Sequence, residues 1–323
     1  MQQRNNIRGV PENPDRTTTI RVFGNDLTVK NYDCAQNGGA YREKPRPIQL
    51  QLFILPTYYC PGNCPFCVAS ETRRRKVSLD PEKLRCVLQE LHQVEAVRAI
   101  SITGGEPLYD IALLDEIMEM IYEVCGRNTD VSINTGGINL LKLDRIRSLA
   151  FVNAIHISRH HYDDDKNQAY FGVQVPTGEE IAQIADIVHD PKLFVFNCLL
   201  FSDGIGTKEE MIKFLEFTGS VGVPKAAFVT PMPVNAYVKE RLVSYDALST
   251  KGDPRFLHTT GYHDYEYCHC QDGVYVTSTG KLVEWYGRET RYGCAEYARG
   301  LVYGADNVLR DGFGAEAKVL YVP

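Results

Sequence analysis

The stretch Tyr59 to Cys67, YCPGNCPFC, places Cys60, Cys64 and Cys67 in one short loop. It directly follows the apolar run QLQLFI from Gln49, which has the residues of a buried β-strand. Thiols stay reduced inside cells, so clustered cysteines there indicate metal binding or catalysis more often than disulfides. Three thiolates can contribute to a zinc site, contain a redox pair, or hold a cubane iron-sulfur cluster with one iron left open.

The composition is that of a soluble globular protein. The chain has 323 residues, of which 44% are apolar and 24% are charged, so we expect one dominant domain with a small appendage. The N-terminus is polar without a secretory signal, and no apolar run reaches the length of a membrane span, so we expect a cytoplasmic protein with no membrane partner. A net charge of -6 argues against nucleic acid as a partner.

From residue 49 onward, β-rich runs alternate with amphipathic helices. Helix starts are indicated by Asp80 followed by Pro81, and by the capping-box spacings of Thr177 with Glu180 and Thr207 with Glu210. The alternation predicts six parallel βα units in an open sheet or a barrel. We interpret them as a partial (β/α)6 barrel whose later strands begin near Arg98, Val131, Val152, Leu193 and Lys225.

Both flanks of this core differ from it. TTIRVFGNDLTVKNYD predicts an N-terminal hairpin turned at Gly24, and VYVTSTGKLVEWYG predicts a second hairpin turned around Thr279-Gly280. We therefore expect an N-terminal extension over residues 1–48, a core over 49–250 and a small C-terminal module over 251–323.

The stretch Thr103 to Pro107, TGGEP, ends the second βα unit. Its glycines let the backbone approach a ligand closely, and Glu106 supplies a carboxylate suited to the ammonium group of an amino acid. Ligands of parallel α/β folds bind at the carboxyl ends of the strands. We therefore expect this loop and the cysteine loop to form one site.

The spacing Cys60-x3-Cys64-x2-Cys67 after the first strand, with Gly-Gly-Glu-Pro after the second, resembles the radical S-adenosylmethionine (SAM) superfamily. The resemblance implies a [4Fe-4S] cluster whose open iron is chelated by the amino and carboxylate groups of SAM. It implies reductive cleavage of SAM to a 5'-deoxyadenosyl radical, which abstracts a substrate hydrogen. It also implies an external electron donor such as flavodoxin or ferredoxin.

The same resemblance assigns roles to individual residues. The three cysteines become cluster ligands, and Phe66 lies near the adenine. The SAM amino-group motif falls on Gly104, Gly105, Glu106 and Pro107. Asn134 and Ser158, at the third and fourth strand ends, match positions that contact SAM. Apart from the resemblance, Arg159 is a candidate contact to substrate or to the SAM carboxylate.

Most of residues 49–287 is also similar to the GTP-rearranging enzyme of molybdenum-cofactor synthesis, in the subgroup with SPASM or twitch modules. The C-terminal segment CHCQDGVYVTSTGKLVEW departs from that pattern. Cys268 and Cys270 have one residue between them, QDGVY replaces an Asn-Arg-x-Arg that grips GTP, and Trp285 stands near the expected third cysteine. GTP is therefore not the expected substrate.

A second, auxiliary iron-sulfur cluster is predicted on Cys268, Cys270 and Cys294, with Cys34 or His269 as a possible fourth ligand. The alternative is a twitch-like module that has lost its cluster and whose cysteines are merely packed. An intact auxiliary cluster would favour substrate oxidation, because it can accept an electron from the substrate radical.

Three further features have two interpretations each. Cys198 could return a hydrogen atom in an epimerisation, or pack in the core, since its neighbour Asn197 suits the inward position better. SRHHYDDD from Ser158 could bind a metal or form a polar rim loop. RRRK from Arg73 to Lys76 is interpreted as a solvated turn.

The sequence thus predicts a radical SAM enzyme that oxidises or epimerises a small polar metabolite. A peptide-modifying maturase of the same superfamily is the alternative. A non-catalytic iron-sulfur or zinc-binding scaffold is the alternative of another class.

Overall fold

The computed structural model describes residues 17–30, 50–94, 97–188, 190, 193–244, 248–250, 252–257, 263–265, 268–290, 300–313 and 316–323. These residues form an α/β fold around one large, mostly parallel sheet. Among them, no helix is both long and apolar enough to cross a membrane.

Six parallel strands lie side by side in chain order at the centre of the sheet. Each begins within two residues of its predicted start, so the prediction of an α/β fold with a parallel sheet is confirmed. The strands are β3 (Leu50–Ile54), β4 (Val97–Ile102), β5 (Asp130–Thr135), β6 (Ala154–Ser158), β7 (Phe194–Leu199) and β8 (Lys225–Val229).

Helices connect these strands and follow the last of them. They are α1 (Pro81–His92), α2 (Ile111–Cys125), α3 (Asp164–Phe171), α4 (Gly178–Val188), α5 (Lys208–Val221) and α6 (Ala236–Lys239).

The helix starts use the predicted caps. Asp80 accepts the amide of Glu82 at 3.0 Å at the start of α1. Thr177 and Glu180 make the reciprocal capping box of α4, with Glu180 N donating to Thr177 Oγ1 at 3.2 Å and Thr177 N donating to Glu180 Oε2 at 2.8 Å. Helix α5 has only half of the predicted box, because Glu210 pairs with Lys213 instead of the Thr207 amide.

The N-terminal hairpin is present and packs on the C-terminal end of the chain. Strands β1 (Thr17–Val22) and β2 (Asn25–Lys30) pair antiparallel. Asn25 Nδ2 donates to Leu320 O at 3.1 Å, and the Phe23 and Tyr321 rings stack 3.8 Å apart.

The C-terminal strands extend both edges of the core sheet. The predicted hairpin around Thr279-Gly280 is confirmed, and its second strand joins the core strand β8 in parallel. The next strand along the chain pairs in parallel with β3 at the opposite edge. The predicted boundaries at residues 48 and 250 stay predictions. The C-terminal strands are β9 (Phe256–Leu257), β10 (His263–Tyr265), β11 (Cys268–Val276), β12 (Leu282–Thr290), β13 (Gly300–Tyr303), β14 (Leu309–Arg310) and β15 (Val319–Tyr321).

The two faces of the parallel sheet differ in chemistry. Apolar side chains on one face meet the helices; the Phe196 ring, for example, lies 6.1 Å from the Phe214 ring of α5. Because side chains alternate along a strand, their neighbours occupy the opposite face, which we call the inner face. The inner face is mixed, because the strand register also places apolar residues such as Phe53 and Val195 on it. Its polar side chains are those of Ser101, Asn134, His156, Ser158, Asn197 and Lys225.

Candidate active site

The TGGEP loop is hydrogen-bonded directly to the cysteine loop. Gly105 N donates to Thr57 O at 3.0 Å, and Glu106 N donates to Tyr59 O at 2.9 Å. A Cβ atom at position 105 would lie 2.2 Å from the Tyr59 oxygen, so this contact requires glycine. The two strand-end loops are therefore in direct contact, as expected, and their joint binding of a ligand stays a prediction.

The opposite edge of the cysteine loop is held by a second segment. Tyr58 N donates to Val77 O at 3.1 Å, and Cys60 N donates to Arg73 O at 2.7 Å. Backbone groups of residues 57 and 59 thus bond towards the TGGEP loop, while those of residues 58 and 60 bond towards residues 73–77. The cysteine loop lies between these two segments.

The three thiols are half-buried, and two of them lie beside a glycine. A Cβ atom on Gly62 would be 3.2 Å from Cys60 Sγ and 3.7 Å from Cys64 Sγ, so this glycine leaves space beside the sulfurs. Burial, with smaller contributions from Cys67 and Cys60, raises the pKa of the Cys64 thiol to about 12. Ligation of a metal by Cys64 must therefore release its proton.

The donor set fits a cubane cluster. No group of three His, Cys, Asp or Glu side chains among the described residues is compact enough for a single metal ion. In a cubane each cysteine binds a different iron, so the thiols need not converge on one point. Cys60, Cys64 and Cys67 would hold three irons, and the fourth iron would remain open for a second ligand.

Glu106 is buried at the junction of the second and third βα units. Its Oε1 accepts hydrogen bonds from Thr135 Oγ1 at 2.6 Å and Leu108 N at 3.0 Å, and its Oε2 accepts from Gly136 N at 2.9 Å. Burial raises the pKa of Glu106 to about 7, although the three hydrogen bonds oppose the rise. Oε2 keeps capacity for one further donor, as an incoming ammonium group requires.

An aromatic group covers the cysteine loop on another side. The Phe66 ring lies 4.9 Å from the His160 ring and 5.3 Å from the Phe201 ring, and His160 stacks on Phe171 at 5.3 Å. Burial and the charge of Arg159 lower the pKa of His160 to about 3. Its Nδ1 accepts the Leu199 amide at 3.1 Å, so the neutral ring carries its proton on Nε2.

Asn134 and Ser158 lie on the inner face, each at or near the end of its strand. Asn134 Nδ2 donates to Ser101 Oγ at 2.7 Å, and Ser158 aligns with Asn197 across the neighbouring strand pair. Both side chains are half-buried. Their predicted contacts with SAM stay predictions.

The family model described as "Radical SAM superfamily" matches residues 54–218, which include the cysteine loop, the TGGEP loop and the inner-face residues Asn134 and Ser158. The chain belongs to the radical SAM superfamily. The resemblance found in the sequence is thereby confirmed at the level of the family. Enzymes of this family use a [4Fe-4S] cluster and SAM.

Individual relatives match only parts of the chain. The probable GTP 3',8-cyclase of Thermoplasma volcanium is 32% identical over 128 residues, which are 40% of this chain and 38% of that protein. Streptococcus suis SuiB bound to S-adenosylmethionine is 19% identical over 61% of this chain and 44% of SuiB, with a TM-score of 0.47. Coproporphyrinogen III oxidase (HemN) from Escherichia coli is 13% identical over 62% of this chain and 50% of HemN, with a TM-score of 0.42. The chain thus spans less than half the length of the cyclase and of SuiB.

The affinity of this radical SAM protein for SAM is expected to fall as the pH is lowered through about 7. Only the ionised Glu106 carboxylate attracts an ammonium group, and its pKa is raised to about 7. Below that value each pH unit should weaken binding by up to about tenfold. Binding isotherms of SAM on reconstituted protein between about pH 6 and about pH 8 measure this. A flat profile would contradict the role of Glu106.

Gly105→Ala is expected to abolish measurable SAM binding. The added Cβ atom would overlap the Tyr59 carbonyl, so the TGGEP loop must move away from the cysteine loop. Gly312→Ala is the matched control, because nothing lies within 4 Å of a Cβ atom there. Calorimetric titration with SAM compares the two variants, and unchanged binding by Gly105→Ala would show that the close approach is dispensable.

Arg159 lies on the helix side of the sheet. Its guanidinium donates to Pro176 O at 3.2 Å and to Asp164, and it stacks over the Phe217 ring of α5 at 4.4 Å. The side chain is 1% exposed. The placement commits Arg159 to packing within the protein, and its contact with SAM or substrate stays a prediction.

The loop that follows β6 caps a helix. Asp163 accepts the Lys166 amide at 3.0 Å at the start of α3, and His161 Nδ1 accepts the Asp163 amide at 2.9 Å. The acidic residues of SRHHYDDD thus begin a helix that the sequence analysis missed. Only the aspartates are exposed as a polar rim would be, because Arg159, His160 and His161 are buried. The choice between a rim loop and a metal site stays a prediction.

Cys198 also points to the helix side. It is fully buried beside Phe196 in the apolar core, and its Sγ donates to Leu199 O at 3.5 Å. Burial raises the pKa of this thiol well above its ordinary value. Asn197, the neighbour on the inner face, takes the position that a hydrogen donor would need. The placement favours packing over a catalytic role for Cys198.

The predicted auxiliary-cluster ligands are only partly covered by the structure. Cys268 and Cys270 lie in strand β11, where their backbone pairs with β10 and β12. Cys294, and the possible fourth ligand Cys34, lie outside the described residues. The auxiliary cluster stays a prediction.

The RRRK run agrees with its interpretation as a solvated turn, since Arg73 and Arg74 lie in a turn and the three residues that follow Arg73 are exposed. Two of its arginines also contact the cysteine loop, which the sequence analysis did not predict. Arg73 Nη1 donates to Cys64 O at 3.0 Å, and Arg74 Nη1 donates to Cys60 O at 2.9 Å. Their charges lower the pKa of the cysteine thiols, against the effect of burial. The signal available in the sequence was their position shortly after the third cysteine.

A cavity of about 260 Å³ lies at the amino ends of the strands, away from the cysteine loop. Tyr122, Arg127 and Phe151 form part of its wall, and the Arg127 guanidinium lies 5.0 Å from the Tyr122 ring centre. The residues that line it include no cysteine, histidine or carboxylate. The chemistry of the carboxyl ends of the strands, and not this cavity, therefore defines the candidate site.

Proposed function

We propose that this protein is a radical SAM enzyme that oxidises or epimerises a small polar metabolite. The observation that carries the proposal is the docking of the TGGEP loop on the cysteine loop. It brings the buried carboxylate of Glu106 close enough to the Cys60 thiol that the Glu106 charge adds to burial, the main cause, in raising the pKa of that thiol. A cluster site and an ammonium-binding carboxylate side by side are what reductive cleavage of SAM requires.

When bound, the cluster and SAM together supply a 5'-deoxyadenosyl radical that abstracts a substrate hydrogen. Cys60, Cys64 and Cys67 hold the cluster, and Glu106 Oε2 accepts the ammonium group of SAM. Gly104 and Gly105 bring backbone groups close to the same ligand, and Pro107 begins the short turn that Glu106 caps. Phe66 packs against the adenine.

The polar side chains of the inner face support the proposal of a small polar substrate. His156 Nδ1 is buried without a hydrogen-bond partner, and burial with the nearby Lys225 charge lowers the pKa of His156 to about 4. The Lys225 ammonium lies 3.5 Å from the Glu284 carboxylate of β12. These neutral and charged groups offer hydrogen bonds to hydroxyl, amine or carboxylate groups of a metabolite.

We further propose that the six parallel strands form a partial (β/α)6 barrel and that residues 251–323 are a twitch-like module. In this proposal Cys268, Cys270 and Cys294 hold an auxiliary cluster. The placement of Cys198 away from the inner face favours oxidation over epimerisation, because it removes the hydrogen donor that epimerisation needs.

Iron analysis tests the auxiliary cluster. Anaerobically reconstituted wild type should contain about eight irons per chain, and the Cys60/Cys64/Cys67 triple alanine variant about four. About four in the wild type and none in the variant would show that the C-terminal module holds no cluster. The proposal that the substrate is oxidised through an auxiliary cluster would then be wrong.

Cys198→Ala is expected to leave SAM cleavage and product formation within about twofold of wild type. The thiol lies in the helix-facing core, so the change should instead cost about 1 kcal/mol of stability by removing a buried group. Deoxyadenosine and product formation, with a thermal melt, measure this. A variant that still forms deoxyadenosine but has lost product would show that the Cys198 thiol supplies hydrogen.

A further inference from the structure

The run Arg73 to Lys76 concentrates positive charge at one place on an acidic protein. The chain carries a net charge of -6, yet these four consecutive residues are all basic. Arg74, Arg75 and Lys76 are exposed. A charged surface of this kind attracts partners of opposite sign and raises the rate at which they associate.

Every member of the run contacts the cysteine loop. Arg73 and Arg74 donate to the carbonyls of Cys64 and Cys60, as described above. The Arg75 guanidinium lies 5.4 Å from the Tyr58 ring centre, and the Lys76 ammonium lies 5.7 Å from the Tyr59 ring centre. The basic surface is therefore attached to the loop that would hold the cluster.

The run lies on the edge of the cysteine loop that faces away from Glu106. The backbone amides of Tyr58 and Cys60 bond towards residues 73–77, while the backbone carbonyls of residues 57 and 59 bond towards the TGGEP loop. The Thr57 hydroxyl adds a bond to Val77 O at 2.9 Å on the side of the run. A protein that approaches over the basic run can thus come close to the cluster without passing the SAM site. Val68, which follows Cys67, is 64% exposed on the same loop and offers an apolar contact.

We propose that Arg73–Lys76, with Val68, is the docking surface for a small acidic electron-donor protein. The inference rests on the proposed function, which requires one electron for each SAM cleaved. In the step, the donor's flavin or iron-sulfur centre is oxidised by one electron, and the cluster at Cys60, Cys64 and Cys67 is reduced by one. Small electron-transfer interfaces of this kind depend strongly on charge complementarity.

The test compares a protein donor with a chemical one. The double variant Arg75→Glu/Lys76→Glu reverses the two charges that make no hydrogen bond to a cysteine carbonyl, and it leaves Arg73 and Arg74 in place. Deoxyadenosine formation is measured once with a pre-reduced flavodoxin and once with dithionite. Dithionite is a small reductant that needs no docking surface.

With flavodoxin, the double variant should need at least about tenfold more donor for the same rate, because electrostatic steering contributes about 10 to 1,000-fold to association. With dithionite, its rate should stay within about twofold of wild type. Added salt should slow the flavodoxin reaction of the wild type and have little effect on the variant. The swap Arg75→Lys/Lys76→Arg, which keeps both charges, should behave as the wild type.

Arg127→Glu/Lys318→Glu is the matched control, since it makes the same change in net charge at exposed positions outside this surface. An equal loss in the control and the double variant would overturn the proposal, as would equal rates of the wild type and the double variant with flavodoxin.

A loss of deoxyadenosine formation with both reductants would overturn it too, and would show that the run holds the cluster loop instead. A raised KM for substrate in the dithionite reaction would show that the run binds an acidic substrate. Absence of deoxyadenosine from the wild type with dithionite would refute the proposed function itself.

Discussion

Replacement of Cys60, Cys64 and Cys67 together by alanine is expected to remove about four irons per chain from the reconstituted protein. The three thiols are the only described cysteines in the loop between β3 and α1, so no described thiol beside them can take their place. The visible absorption that accompanies this iron should disappear with it. Iron analysis and absorption spectra of wild type and variant, reconstituted in parallel, measure the change.

Cys86→Ala/Cys125→Ala is the matched control for cysteine loss. Cys86 is exposed on α1 and Cys125 is half-buried at the end of α2. This variant should keep the full iron content. Retention of all iron by the triple variant, or an equal loss in the control, would contradict ligation by the cysteine loop.

Glu106→Gln is expected to weaken SAM binding by about 30-fold, or about 2 kcal/mol, because hydrogen bonds to a charged group contribute about 1.5 to 3 kcal/mol. The amide keeps the shape of the carboxyl group but loses its charge. One of its atoms becomes a donor that faces the Thr135 hydroxyl or the Gly136 amide. The fold should survive, and iron content should stay near that of the wild type.

Asp115→Asn is the control for loss of a buried carboxylate elsewhere. Asp115 on α2 accepts the Ser148 amide at 3.0 Å and pairs with Arg147. Its replacement should lower the melting temperature and leave SAM affinity unchanged. SAM titrations measure the affinity of both variants and of the wild type. Equal affinity of Glu106→Gln and wild type would exclude the proposed ammonium contact.

The central elements of the site could be predicted because their signals are local. A cysteine spacing and a Gly-Gly-Glu-Pro lie at the ends of successive parallel strands, and the geometry of such sheets brings strand ends together. The start of α1 at Asp80 and its buried face were readable from neighbouring residues. Cys198 could likewise be assigned to the outer face, because side chains alternate along a strand and only one of Cys198 and Asn197 can face inward.

The remaining contacts depend on residues distant in the chain. A run of four basic residues looks the same whether it is solvated or bonded to the carbonyls of Cys60 and Cys64. The bond from Thr135 to Glu106 joins two βα units, and the sequence analysis named only the neighbouring Asn134 at this strand end. Helix α3 begins in an Asp-rich stretch whose sequence is typical of a loop, and its buried apolar side chains, Tyr170 and Phe171, lie at its far end.

The pairing of the C-terminal strands was also beyond local patterns. The hairpin of β11 and β12 was predicted from its turn, but its parallel pairing with β8 was not. Strand β13 joins β3 across almost the whole length of the chain. Such pairings depend on which sheet edges stay unpaired once the core has formed. The sequence of a single segment does not show which edges these are.

Deoxyadenosine formation from SAM tests the proposed chemistry most directly. Wild-type protein, reconstituted anaerobically and supplied with SAM and dithionite, should form 5'-deoxyadenosine and methionine in equal amounts. The Cys60/Cys64/Cys67 triple alanine variant should form neither. A wild type with its full iron content that leaves SAM intact, or a triple variant that still cleaves it, would contradict the assignment of radical SAM chemistry to this site.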